Sequence, residues 1–352
     1  MLNSAPRIVA NWRQVLPTLL LALVAALLAQ YVGLPLPWMI GPLFSVAGAR
    51  MCDLRLQPPA GGRQAGQWAI GAALGLYFSP VVVSQLAEHA LLVIGAALAS
   101  LAMGSICALF TLRMARVDAP TAFFASLPGG ASEMANLAER WGGAVDRIAA
   151  AHALRIMMVV SLVPLALTLA GAHGTDLYIP QSHAVDFARL PLLVAASLAG
   201  VGVFKLLRIA NDWVLGPLLG VGVLSALAVP LSALPGWMIN AGQLLIGCSL
   251  GCRFSREFFR AAPRFMGVAA LTALLSIVLG FALALLLARF ADVPLATLAL
   301  ATAPGGVAEM CITAKVLQLG VPLITACHVL RVVVLTLGAQ AAFGQFRRLV
   351  AQ

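Results

Sequence analysis

The chain has 352 residues, 62% of them hydrophobic and only 10% charged, with a formal net charge of +10. Soluble domains carry about 45–50% apolar and about 25% charged residues, so too little polar surface is available to cover a water-soluble globule. An ordinary cytosolic enzyme or binding module is excluded. The 22 Lys and Arg are scattered singly and in pairs between apolar runs, with no basic stripe bearing interleaved aromatics. Nucleic acid is therefore not a partner, and the charge reads as orientation charge under the positive-inside rule. The lipid bilayer is the solvent.

In chain order, Arg7 and Arg13 precede an apolar run that resembles a signal peptide, but no small-residue cleavage site leads into a soluble domain, so the run is a retained first helix. At about 20 residues per span, the pattern predicts helices over 14–31, 36–50, 66–80, 89–112 and 147–171. A second set follows over 189–205, 213–230, 237–252, 265–288 and 321–346. Two segments, 119–138 and 295–318, are interrupted by Pro-Gly-Gly. From Asp118 to Pro128 the chain rises about 15 Å as helix, reaching the middle of a hydrocarbon core about 30 Å thick before it turns. A re-entrant helical hairpin fits each segment better than a broken spanning helix, because irregular backbone at that depth must be buried in protein or line a cavity.

The chain carries an internal duplication. Trp38-Met-Ile-Gly41-Pro42-Leu43 recurs as Trp213-Val-Leu-Gly216-Pro217-Leu218, and the run Gly66-Gln67 to Phe78-Ser79 recurs as Gly242-Gln243 to Phe254-Ser255, at an offset of 176. At that offset Pro128-Gly129-Gly130-Ala-Ser-Glu133-Met134 matches Pro304-Gly305-Gly306-Val-Ala-Glu309-Met310, and His152-Ala-Leu-Arg155 matches His328-Val-Leu-Arg331. Two repeats result, 1–175 and 176–352.

Lysine and arginine bias sets their relative orientation. With both termini cytoplasmic, 17 basic residues fall in cytoplasmic loops, Arg189 and Arg289 fall outside, and Arg155, Lys315 and Arg331 lie in membrane-embedded segments. The bias flips between equivalent loops: Arg50, Arg55 and Arg63 have an uncharged counterpart near 231–236, whereas the sparse loop around Glu88 has one carrying Arg253, Arg256, Arg260 and Arg264. The expected fold class is therefore an all-α integral membrane protein, transporter-like, with inverted repeats of five spans plus one re-entrant hairpin each.

The paired PGG-x-x-EM motifs, the W-x-x-GPL motifs and the duplication resemble the AbrB family of bacterial inner-membrane proteins, built from two AbrB-duplication domains. Some members are labelled ammonia monooxygenase or regulator of aidB expression. The resemblance covers nearly the whole chain and implies a bacterial inner-membrane location and an effect on gene expression. It is to that family and not to the small β-rich DNA-binding regulator of the same name. It supplies no settled substrate.

Ionisable residues inside a membrane are costly and mark candidate sites. Glu133 and Glu309 follow the two turns by one helical turn, at a depth that Arg155 and Arg331 also reach. Half-helices that begin after Gly130 and Gly306 would aim unpaired N–H groups and a positive dipole end at the midplane, a ready site for an anion. The candidate substrate site comprises Pro128, Gly129, Gly130, Ser132, Glu133, Asn136, Pro304, Gly305, Gly306, Glu309, Thr313, Arg155, Arg331, Gln67 and Gln243, with Glu133, Glu309, His152 and His328 as candidates for coupling a proton or Na+. Simpler roles stand beside these. The Glu and Arg of each repeat can be buried ion pairs that staple hairpin to helix, and each histidine can bond a nearby backbone group. Gly71-x-x-x-Gly75 and Gly247-x-x-x-Gly251 read as helix-packing faces. The six cysteines show no ligand spacing and read as small buried hydrophobes.

Three classes of function compete. A membrane enzyme needs a metal or cofactor, yet His89, His152, His173, His183 and His328 form no ligand cluster, so no metal, no cofactor and no enzyme activity are expected. A membrane sensor that affects gene expression is the alternative to the favoured reading. That reading is a secondary transporter of a small organic solute, preferably an anion, in which a bundle carrying the hairpins moves against a scaffold made of the first two helices of each repeat. A homodimer is the candidate assembly.

Overall fold

The computed structural model describes residues 11–174, 184–207, 209, 211–254, 256 and 262–350. Arg7, His183, Arg208, Ser255 and Arg260 fall outside these, as does the side chain of Ser132. Among the described residues there are fifteen helices and no strand. The first repeat holds α1 (Trp12–Tyr31), α2 (Pro37–Met51), α3 (Gly62–Gly75), α4 (Pro80–Glu88), α5 (Ala90–Ala115), α6 (Ala119–Ser126), α7 (Ala131–Glu139) and α8 (Val145–Leu169). The second holds α9 (Leu190–Leu206), α10 (Asp212–Ala226), α11 (Gly236–Gly251), α12 (Pro263–Leu287), α13 (Leu295–Thr302), α14 (Val307–Val316) and α15 (Val321–Val350).

Each of the ten predicted spans falls on a helix, but the helices are of two kinds. Five (α1, α5, α8, α12, α15) are long and apolar enough to cross a membrane, and the bent pair α3 and α4 makes a sixth if counted as one span. The others have 14 to 17 residues, about 21–26 Å of helix, short of a 30 Å core. Length and composition thus carry five or six spans rather than ten. The third predicted span also ends early. It was expected to run to 80, but α3 stops at Gly75 and the chain bends by 87° into α4, where the Ser79 hydroxyl caps the new helix by accepting from the Val82 N–H at 3.4 Å and Pro80 occupies its first turn. The chain is a multi-pass, all-helical membrane protein.

The duplication is visible in the helix boundaries. At an offset of 176, α6 falls on α13 and α7 starts where α14 starts; α2 falls on α10 at an offset of 175, with the W-x-x-GPL motif beginning at the second residue of each. The positions before these two helices, Leu36 and Asn211, both adopt left-handed backbone (φ 52° and 56°).

The helices sort into two groups. One contains α1, α2, α3, α9, α10 and α11, and the other contains α5 to α8 and α12 to α15. The expected scaffold of two helices per repeat therefore gains a third, α3 and α11. These two pack closely where glycines face each other: a Cβ on Gly242 would lie 3.2 Å from the Gly66 carbonyl oxygen, and one on Gly66 would lie 2.9 Å from Ile246 Cγ1. Gly62 lies beside Leu245, and Gln64 shares a hollow with Ser249, so α3 and α11 run past each other in opposite directions. The predicted packing faces are packing faces. A Cβ on Gly75 would meet Leu218 O at 2.9 Å, one on Gly247 would meet Met39 O at 2.6 Å, and one on Gly251 would meet Leu43 O at 2.8 Å. In the other group the hydroxyl of Thr111 bonds those of Ser126 (3.0 Å) and Thr272 (2.8 Å), tying α5, α6 and α12 together.

Candidate functional site

The segment between α5 and α8 enters and leaves at one end. Asp118 caps α6, its carboxylate accepting from the Thr121 N–H (3.3 Å) and hydroxyl (2.5 Å), and the Thr121 hydroxyl in turn accepts from the N–H of Ala144, where α8 is about to begin (2.8 Å). A chain whose two ends share a hydrogen bond is a hairpin, and its tip is the Pro-Gly-Gly turn.

The motif explains its own glycines. A Cβ on Gly129 would sit 2.9 Å from Met134 Cε, and one on Gly305 would sit 2.7 Å from both Cγ and Sδ of Met310. A Cβ on Gly130 would sit 3.1 Å from the Glu133 carboxylate, and one on Gly306 would collide with the carboxylate of Glu309. Thus the first glycine makes room for the methionine and the second for the glutamate of the same motif. None of the four has a positive φ, so space rather than backbone conformation requires them. The glutamates fold back over the half-helix starts, the place the sequence reading reserved for a substrate anion, and a carboxylate there is favoured by the helix dipole.

The arginines do not pair with them. Arg155 is the eleventh residue of α8, and Arg331 is the eleventh of α15. Arg155 Nη1 donates to Leu127 O (2.7 Å) and Nη2 donates to His152 Nδ1 (3.0 Å). Arg331 donates to Ala303 O (2.6 Å) and to Gly305 O. His152 Nε2 bonds Phe124 O at 2.9 Å and His328 Nε2 bonds Leu300 O at 3.0 Å, so each histidine takes the backbone bond. Among the described residues the ion pairs are Arg189 with Asp186 and Arg256 with Asp53. The Glu–Arg staple expected in each repeat is absent there. Its place is taken by a clamp in which His and Arg of the long helix hold the carbonyls exposed where α6 and α13 end, groups that a helix leaves without partners. Glu133 instead accepts from the Thr336 hydroxyl on α15 (3.0 Å).

The two tips converge on one cavity of about 70 Å³. Pro128, Gly129, Gly130, Gly305, Gly306, Glu309, Arg331 and Gln67 line it, as expected; Arg63 and Asn211 line it as well. Pro304, Thr313, Arg155, Gln243, His152 and His328 are buried away from it. Thr313 bonds the Glu309 carbonyl (2.9 Å), Asn136 is exposed, and Glu133 is half-buried beside Thr336. Glu309 is buried, faces the cavity and has neither a hydrogen bond nor an ion pair from its carboxylate to a described residue.

Residues 38–347 match the protein family described as transition state regulatory protein AbrB. The chain belongs to this family. It is similar to "Putative regulator AbrB" of Escherichia coli (strain K12), 27% identical over 305 residues that cover 85% of this chain and 87% of the relative. It is also similar to "Uncharacterized protein YhjN" of Bacillus subtilis (strain 168), 25% identical over 328 residues, 86% of this chain and 85% of the relative. No solved structure matches the chain.

In this AbrB-family chain the sequence did carry signals for the two residues missed. Arg63 stands four positions before Gln67 on α3, one turn away on the same face. Asn211 sits immediately before α10 with the left-handed backbone that asparagine tolerates.

Proposed function

We propose that the protein is a secondary active transporter that moves a small organic anion across the bacterial inner membrane by alternating access. Repeats 1–175 and 176–352 are inverted, the termini are cytoplasmic, and the two hairpins are re-entrant. The observation that carries the reading is the meeting of both Pro-Gly-Gly tips in one cavity with a buried carboxylate that has no hydrogen bond or ion pair to a described residue. Unwound backbone at a repeat interface is how broken helices build a solute site, and two arginines against one glutamate favour an anion. The opposite directions of the equivalent helices α3 and α11 support inversion. A cavity of 70 Å³ has room for a few water molecules and none for a metabolite, which supports an occluded central site that opens when the bundles move. Glu309 is the candidate carrier of a coupling proton.

Purified protein in liposomes, tested with a panel of labelled carboxylates and organic phosphates under an imposed proton gradient, should accumulate at least one, and Glu309→Gln should uncouple uptake from the gradient. The relative named as a regulator favours a second reading, a membrane sensor. Saturable binding of a solute without any flux would establish that reading and refute transport.

A further inference from the structure

Beside the central cavity lies a larger hollow of about 520 Å³, walled by residues 57–64 and by the end of α11. Gln57, Arg63, Gln64, Ser249 and Arg253 line it, and among the described residues no carboxylate does. Both arginines belong to the basic residues expected to orient the protein, Arg63 at the start of α3 and Arg253 just past the end of α11, and orientation alone would leave them in bulk solvent. Here they share one concave space that also holds the half-buried thiol of Cys252. Gln57 adds a buried amide atom, Oε1, that has no hydrogen-bond partner, and rotation of that amide presents two donors instead. Arg63 lines both the hollow and the central cavity, so its side chain stands between them.

The equivalent place in the other half is filled. At the offset of 176, Arg63 corresponds to Ile239 and Arg253 to Tyr77. Between 231–239 and 72–77 the space is closed by Ala72, Ala73, Leu76, Leu231 and Leu234, with Ile239 packed against them. One access is therefore cationic and open, and its counterpart is apolar and shut.

We propose that the hollow is a binding subsite for an oxyanion group, carboxylate or phosphate, on a metabolite-sized solute, and that Arg63 passes the solute's charge from this subsite to the central cavity. The proposal rests on the transporter reading for its direction of travel but not for its test. Two guanidinium groups share the hollow, and the one carboxylate that acts on Arg253, Glu309, lines the central cavity rather than the hollow; such a pair attracts an oxyanion, which arginine binds through paired N–H donors. The hollow has the volume the central cavity lacks.

Cys252 reports on the hollow directly. With Cys52→Ser removing the exposed thiol, and Cys52→Ser with Cys252→Ser as the background control, full-length protein in phosphatidylcholine nanodiscs is treated with a sulfonate and with a trimethylammonium methanethiosulfonate. Each rate is normalised to the reagent's rate with a free thiol. The anionic reagent should react about tenfold faster than the cationic one, the scale of charge focusing in a cleft. Arg63→Gln with Arg253→Gln should bring the ratio to about one, and Arg63→Lys with Arg253→Lys should keep it. Millimolar succinate, citrate or inorganic phosphate should slow labelling. A ratio indifferent to the double glutamine change overturns the subsite, as does labelling that none of the three anions slows. Protection by anionic phosphatidylglycerol in the nanodisc but by no soluble anion assigns the hollow to a lipid headgroup and equally overturns it. Charge-selective labelling and protection without flux in liposomes would leave the subsite standing and sink transport.

Discussion

Replacing Arg331 by methionine keeps the unbranched apolar stem as far as about Nε and removes the guanidinium donors. In the clamp, Ala303 O and Gly305 O then lose their partners inside the protein. A buried acceptor left unsatisfied costs about 1–3 kcal/mol, so two cost about 2–6. Relief from holding a buried cation offsets part of this, leaving about 2–4 kcal/mol. By the scaling of midpoint with stability in domains of 150–250 residues, the melting temperature should fall by roughly 5–15 °C. Arg155→Met likewise frees two buried acceptors, the Leu127 carbonyl and the His152 ring nitrogen, and should cost a similar amount. The decisive measurement is a double-mutant cycle with Glu309→Gln, read as thermal unfolding in detergent. If Arg331 clamps backbone, the neutral glutamine restores nothing and the two changes add within about 0.5 kcal/mol. A double variant as stable as the wild type would show that Arg331 serves Glu309 as an ion-pair partner, and the clamp would be refuted.

Other outcomes follow from single positions. Gly306→Ala drives a carbon into the Glu309 carboxylate, whereas at Gly130 the carbon stays 3.1 Å from that of Glu133; unfolding midpoints should show the first costing about 1–3 kcal/mol and the second less, and equal costs would contradict the geometry. Gly66→Ala forces α3 from α11 and should destabilise by a similar 1–3 kcal/mol, while Gly95→Ala, with nothing within 4 Å of the new carbon, should be neutral or slightly stabilising. Single cysteines at Ser84 and Gly236, on a cysteine-free background, should react with an impermeant reagent from outside the cell and one at Gln57 should not; external labelling of Gln57 would reverse the proposed orientation.

The helices and the two Pro-Gly-Gly breaks between them were legible because apolar runs and helix breakers act locally. Side-chain partnerships were not. Glu133 and Arg155 reach one depth on their helices, and depth invites pairing, but it says nothing of direction. The glutamate three places after Gly130 turns back over its own half-helix, as an acidic residue at that position of a first turn commonly does, and this could have been read from the spacing. The clamp could not, because Arg155 meets a carbonyl 28 residues away, a contact set by how α8 leans on the hairpin. Arg63 was hidden for another reason: in a chain whose basic residues nearly all orient it, a functional arginine at a span's edge looks like its neighbours. Of the ten expected spans, length and composition support five or six, since α2, α3 and α9 to α11 are apolar but short.

Where the repeats agree, they build, and where they differ, they give direction. The clamp recurs at 152/155 and 328/331, with Phe124 O matched by Leu300 O and Leu127 O by Ala303 O, 176 positions apart, while the second bond goes to His152 in one repeat and to Gly305 O in the other. Around the cavity the symmetry lapses. Glu309 is buried and unpaired while Glu133 is half-buried and bonded to Thr336, and Asn211 stands where the first repeat has Leu36. If the repeats are inverted, as proposed, identical halves would present the same face to both sides of the membrane and would hold a solute no more tightly from one than from the other. In the proposed transporter the differences at the cavity, among them Glu309, Asn211 and Arg63, are what would give a duplicated scaffold a preferred side, and those three residues are where substitutions should change what is bound rather than whether the protein folds.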